Sequence, residues 1–245
     1  MTDSLAASLD HSVLKPDATR GQIAAAARDA VAWGCASVCV QPHAVAWCRD
    51  AMAGSSPKNA SSSPNRSTSP NRSTVIASVI DFPHGCGSTS SRVTAIETAI
   101  ADGAAEIDIP VNRSLVRSGD WDAVERDLAA VWATADGRVL KLIFETCELT
   151  EGEIERLCGI AAAVGISFVK TSTGFGSHGA TEDHVRLLRA SVPATVAVKA
   201  SGGIRTRDDA IRYRDLGCAR LGTSATAAIL QADAHAATQA AAASY

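Results

Sequence analysis

The chain has no Cys-x-x-Cys pair, although it carries 7 cysteines in 245 residues. An odd number without paired spacing argues against a disulfide framework and makes most of them small buried hydrophobes. Its 6 histidines never fall in a spacing such as His-Glu-x-x-His. No metal and no cofactor is therefore expected, and metal-dependent carbon-carbon chemistry is disfavoured. Neither sign of charge dominates, with 23 Lys and Arg against 26 Asp and Glu for a net charge of -3. That leaves no basic footprint for nucleic acid or an anionic membrane as a partner. No apolar run reaches the roughly 18 residues of a membrane span, and no charged start leads into an apolar signal segment. The expected setting is cytoplasmic.

What the chain does have is alternation. Strand-like apolar runs lie at Leu9-Asp10, Ser37 to Val40, Val75 to Ile80, Glu106 to Ile109, Val139 to Glu145, Ser167 to Thr171, Val196 to Ala200 and Arg220 to Gly222. Ala-rich helical patterns separate them, near 19–33, 42–53, 89–102, 120–135, 150–164, 181–190, 206–215 and after 224, and Thr19 is a natural N-cap for the first. Eight such units in about 250 residues predict an α/β fold, a (β/α)8 TIM barrel forming one domain over 1–245 with its site at the C-terminal ends of the strands. One stretch breaks the rhythm. Residues 54–74 repeat Ser-Pro-Asn-Arg-Ser-Thr, a polar and proline-spaced composition that cannot bury a core and predicts a disordered loop facing away from the barrel mouth.

Two lysines each close an apolar run and open a turn of small residues: Lys170 before Thr171-Ser172-Thr173-Gly174, and Lys199 before Ala200-Ser201-Gly202-Gly203. They are 29 residues apart, the length of one strand-helix-strand unit, so neighbouring strands would bring them together. An amine attacks a carbonyl only when neutral, and an ordinary lysine, with a pKa of about 10.4, is almost wholly charged near neutral pH. Burial and a second ammonium nearby both lower that value. The alternative, that each lysine is a solvated strand end, is weakened by parity: Val196 and Val198 share one face, and Lys199 points the other way among small neighbours.

Asp108 in Glu106-Ile107-Asp108-Ile109 points inward by the same alternation, an unusual place for a carboxylate without a partner. A lysine is the expected partner, either a catalytic one or Lys141 in a purely structural pair. Lys141 and Glu145 share inward parity on the next run, so a charged interior network is predicted, with Asp10 able to join it. Glycine-rich turns follow three consecutive strands at Gly174-Phe175-Gly176, Gly202-Gly203 and Gly222-Thr223-Ser224. The last two, with Arg205 nearby, stand where barrels commonly bind phosphate.

These runs, together with Leu9-Asp10-His11-Ser12-Val13-Leu14-Lys15-Pro16, Ser37-Val38-Cys39-Val40-Gln41-Pro42 and Phe144-Glu145-Thr146, resemble deoxyribose-phosphate aldolase in order from about residue 9 to 230. The resemblance implies a class I, metal-independent lyase that cleaves 2-deoxy-D-ribose 5-phosphate reversibly to D-glyceraldehyde 3-phosphate and acetaldehyde, in deoxyribonucleotide catabolism. It implies Lys170 as the Schiff-base lysine, Lys199 as its perturbing and proton-relaying neighbour, and Asp108 in proton transfer. The sugar phosphate would meet Asp10, Cys39, Thr173, Gly174, Gly202, Gly203, Ile204, Arg205, Gly222, Thr223 and Ser224. A homodimer is the assembly it suggests. The chain departs from the family pattern after Asp108, where Pro110 and Arg113 stand in place of an apolar run, at Ser12, and in the repeat loop. Another Schiff-base aldolase, or a silent sugar-phosphate-binding barrel, are the rival readings. The Ala-rich tail at about 235–245 reads either as a frayed helix end or as a mobile arm carrying the Tyr245 hydroxyl to the enamine carbon as a proton shuttle.

Overall fold

The computed structural model describes residues 5–54 and 73–231. Most of the 54–74 repeat and the whole 235–245 tail with Tyr245 lie outside the described residues. Eight strands, β1 (Leu9–Val13), β2 (Ser37–Val40), β3 (Val75–Val79), β4 (Glu106–Pro110), β5 (Val139–Ile143), β6 (Phe168–Lys170), β7 (Ala197–Ser201) and β8 (Cys218–Thr223), run in parallel in sequence order. β8 pairs back onto β1 and closes the barrel. The intervening helices are α1 (Arg20–Trp33), α2 (Val45–Ala53), α3 (Thr89–Asp102), α4 (Arg113–Arg117), α5 (Trp121–Thr134), α6 (Glu151–Val164), α7 (Glu182–Ser191) and α8 (Arg207–Asp215), with a last helical stretch over 226–231.

Local signals set these boundaries. Thr19 caps α1 through a reciprocal box with Gln22, and Thr150 with Glu153 and Thr206 with Asp209 do the same for α6 and α8. Each box satisfies two backbone donors that the first helical turn leaves free. The short α4 was not anticipated from the sequence. It forms because the Asn112 side chain accepts from the N–H groups of Ser114 and Leu115.

Alternation then sorts each strand into two layers. Ile107, Ile109, Leu140, Leu142, Val169 and Val198 are fully buried against helix residues such as Ile96, Leu128, Ile154 and Leu188. Burying each contributes about 1.5–3 kcal/mol, so this outer layer carries most of the fold. The inward positions hold charged groups, with only a small apolar cluster of Cys39, Ala77 and Val79 against Leu14 and Phe82. Thr74 donates to the Cys35 carbonyl at 2.8 Å, which puts the downstream end of the repeat beside the end of α1, away from the mouth. No helix among the described residues is long and apolar enough to cross a membrane.

Candidate active site

Lys170 and Lys199 are register partners on β6 and β7, and both side chains enter the barrel. Asp108 reaches them from β4. Its carboxylate lies 2.7 Å from Lys141, 2.8 Å from Lys170 and 2.7 Å from Lys199. Lys199 also contacts Asp10 at 2.5 Å, Lys141 contacts Glu106 at 2.6 Å, and Arg220 contacts Glu106 at 2.5 Å and pairs with Asp10 as well. Followed in order, the pairs Arg220–Asp10, Asp10–Lys199, Lys199–Asp108, Asp108–Lys141, Lys141–Glu106 and Glu106–Arg220 form a closed ring of alternating sign. Ser37 supports it, donating to Asp10 at 2.7 Å.

The ring contains three carboxylates and three cations, and is neutral by itself. Lys170 stands outside it. Among the described residues it meets one carboxylate, Asp108, whereas Lys199 and Arg220 each meet two and Lys141 meets three, Asp10 lying 3.9 Å from it. Desolvation disfavours a buried charge, and a surplus one gains least in return. Burial therefore pulls the Lys170 amine below its ordinary value, with the Lys199 charge adding to the effect and Asp108 only partly opposing it. Burial works the same way on Lys199, but Asp10 and Asp108 outweigh it and hold that ammonium above its ordinary value. Against the pull of its own burial, Asp108 is kept ionised, well below the usual carboxylate range, by Lys141, Lys170 and Lys199. Of the three interior lysines, Lys170 is thus the one shifted toward its neutral form, while Lys141 and Lys199 are shifted away from it.

Around the mouth, side-chain hydroxyls fix the two lysine loops to each other. Thr171 donates to the Ser201 carbonyl at 3.2 Å, and the Ser201 hydroxyl donates to the Ser172 carbonyl at 2.5 Å. The β6 loop folds over the β7 loop so closely that a Cβ on Gly179 would lie 2.1 Å from the Gly202 carbonyl oxygen. Gly202 and Gly203 both have positive φ, 84° and 81°, which glycine adopts without strain. A Cβ on Gly203 would meet nothing within 4 Å, so this backbone borders open space at the mouth beside exposed Arg205 and Ser224.

The other residues expected at the substrate divide by placement. Cys39 is fully buried in the barrel, its thiol pushed up to about 11 by burial and then by Asp108. Asp10 has no exposed surface and is taken up by Lys199, Arg220 and Ser37, so it orients the ring. Gly222 makes room inward: a Cβ there would lie 2.9 Å from Ser201 Cβ and 3.2 Å from Lys199 Cε. Ile204 is buried, and its carbonyl accepts from Thr223, whose hydroxyl oxygen accepts from the Ala225 N–H at 2.9 Å. Thr173 donates to Glu145 through both its N–H, at 3.2 Å, and its hydroxyl, and Gly174 turns the chain behind it with φ 88°.

Glu145 departs from the expected inward network. β5 ends at Ile143, and Glu145 adopts φ 57°, which breaks the alternation and swings its carboxylate to Thr173, with Arg113 at 4.0 Å. Glu106 and Arg220 were not singled out from the sequence, though each shares parity with a neighbour two residues on, Asp108 and Gly222. Phe82, packed edge-to-face on half-exposed Phe175 at 5.4 Å, was also missed.

Residues 5–231 match the DeoC/LacD family aldolase. Deoxyribose-phosphate aldolase 1 of Cutibacterium acnes is 41% identical over 227 residues, covering 93% of this chain and 97% of that protein. A deoxyribose-phosphate aldolase of Listeria monocytogenes is 38% identical, covering 94% and 96%. Among solved structures, the aldolase QR15 superposes with a TM-score of 0.83 at 31% identity, covering 96% of this chain and 97% of that one. The tetrameric deoxyribose phosphate aldolase of Aeropyrum pernix superposes with a TM-score of 0.80 at 26% identity, covering 93% and 89%. The chain belongs to the DeoC/LacD family of aldolases.

Proposed function

We propose that this protein is a class I aldolase that cleaves 2-deoxy-D-ribose 5-phosphate reversibly to D-glyceraldehyde 3-phosphate and acetaldehyde. The observation that carries the reading is the position of Lys170: among the described residues it is the cation inside the barrel that stands outside the neutral ring, on the strand end that faces the open glycine turns, in a chain whose relatives are deoxyribose-phosphate aldolases. Neutral Lys170 adds to C1 of the open-chain sugar, and a proton from solvent, delivered through the water at Asp108 and Lys199 and given back on hydrolysis, lets the carbinolamine lose water as a protonated imine. The C3 hydroxyl proton passes through water held between Asp108 and Lys199. The C2–C3 bond then breaks, its electron pair entering the imine to form an enamine, and glyceraldehyde 3-phosphate leaves. The same proton returns to C2, and hydrolysis frees acetaldehyde and regenerates the amine. Asp108, ionised at rest, takes the C3 hydroxyl proton through the water and carries it until C2 takes it back, while Lys199 stays charged and orients the water. Phosphate is held by the backbone of Gly202 and Gly203 with Ser224 and Arg205.

The test is a retro-aldol assay with 2-deoxyribose 5-phosphate, coupled to reduction of the triose phosphate. Borohydride trapping with acetaldehyde and mapping of the adduct accompany it. Turnover with the adduct on Lys170 is expected. No triose phosphate, an adduct on Lys199 or Lys141, or trapping by pyruvate or dihydroxyacetone in preference to acetaldehyde would refute the reading. The proposed assembly is a homodimer, measured by light scattering on the eluting protein.

A further inference from the structure

Arg220 lies two strands from Lys170 and touches no reacting atom, yet it closes the interior ring through Asp10 and Glu106. We propose that Arg220 is a positioning residue that selects the reacting lysine: by supplying the ring's third cation, it leaves Lys170 as the charge the interior does not need. This rests on the reading that Lys170 is the reacting amine.

The interior groups are largely withdrawn from bulk solvent, so their charges must answer one another. The interior carboxylates are Asp10 on β1 and Glu106 and Asp108 on β4. Facing them are Lys141 on β5, Lys199 on β7 and Arg220 on β8, with Lys170 on β6 as the fourth cation. The charged or titratable groups around Lys170 itself are Asp108, Lys199 and the Cys39 thiol of β2. Arg220 is set apart from the lysines because a guanidinium stays charged at any working pH and its fork can engage two carboxylates at once. It does both here. A ring closed by a permanent cation cannot satisfy itself by protonating less, so the proton that leaves must come from Lys170.

Removing Arg220 leaves three carboxylates facing two ring lysines, and Lys170 becomes the third cation the interior requires. Removing Glu106 instead leaves the cations in greater excess. The two changes therefore act on Lys170 with opposite sign, and together they cancel. Two strands at about 4.8 Å spacing put Arg220 roughly 10 Å from Lys170, for which an effective dielectric near 20 gives a shift of about one pH unit per charge.

The experiment uses the full chain and the variants Arg220→Met, Arg220→Lys, Glu106→Gln and Arg220→Met with Glu106→Gln. Lys170 is followed against pH in two ways: by borohydride trapping of its acetaldehyde adduct, and by its rate of reductive methylation with formaldehyde, which needs no aldolase activity. Arg220→Met is expected to move the acid limb about one unit alkaline, a loss of about tenfold below it that vanishes at high pH. Glu106→Gln should move it acidic, the double variant should return near the parent, and Arg220→Lys should stay near it. An unshifted Arg220→Met, or a double variant displaced as far as the single, overturns the proposal. If Arg220→Met does not fold, Glu106→Gln alone decides by the sign of its shift. A methylation profile that shifts as described in a protein that acetaldehyde does not trap would uphold the charge balance and sink the aldolase reading instead.

Discussion

Replacing Lys199 with methionine removes the ammonium nearest the reacting amine while keeping an unbranched side chain in its place. Both ammonium nitrogens lie on the same Asp108 oxygen, at 2.8 Å for Lys170 and 2.7 Å for Lys199, so they are at most about 5.5 Å apart. At an effective dielectric near 20, two unit charges at that distance repel by about 3 kcal/mol, or about two pKa units. The loss also leaves Asp10 and Asp108 short of a cation, which works in the same direction. Lys170 should then hold its proton about two pH units higher than in the parent. Below both values the neutral fraction, and with it the rate of imine formation, falls about a hundredfold; well above them the two proteins converge. Initial rates of borohydride-trapped acetaldehyde adduct, measured from pH 5 to 10, give the comparison. An acid limb at the parent position, with a loss independent of pH, would show that Lys199 serves the relay alone and that the repulsion argument is wrong.

At the mouth, Gly203→Asp places a carboxylate where a Cβ finds open space, next to the proposed phosphate site. Repulsion of about 2 kcal/mol should raise KM for the phosphorylated sugar about thirtyfold beyond any loss seen with phosphate-free 2-deoxyribose, because the strain of a side chain at φ 81° acts on both sugars alike. Equal effects on both sugars would remove the phosphate assignment. In the interior, the lysines hold Asp10 and Asp108 below the usual carboxylate range against the pull of burial. A carboxylate depressed in the folded state stabilises it fully above its unfolded value, about 3.9, and ceases to as pH falls through the folded value. The urea midpoint should therefore drop below about pH 4. Asp108→Asn, which strands buried ammonium groups, should lose roughly 3–5 kcal/mol at neutral pH and flatten this acid dependence.

Much of this was legible along the chain because a strand alternates strictly. Parity alone placed Asp108, Lys141 and Lys199 inside, and the strand-helix-strand spacing put Lys170 beside Lys199. Parity failed at Glu145 for a physical reason: the strand had already ended, and one residue in the left-handed region reverses the direction of its side chain. Arg220 and Glu106 escaped notice because β4 and β8 are not sheet neighbours, and a contact across the barrel leaves no spacing in the sequence. Gly222 was read with the phosphate turns, since a glycine that clears a path for backbone hydrogen bonding and one that clears a path for a lysine look alike. Ser201 Cβ and Lys199 Cε beside it show that it does at least the second.

The interior ring also divides the chain in two. Its carboxylates all come from the first four strands, at positions 10, 106 and 108, and its cations all come from the last four, at 141, 199 and 220, as does Lys170 outside the ring. Neither half can bury its inward face alone, because each would enclose like charges with nothing to answer them. During synthesis the first half must keep that face wet until the second arrives, and a half-barrel that closed early on itself or on a copy of itself would be repelled by its own lining. The charges that ready one amine for chemistry thus also decide which halves of the protein will accept each other.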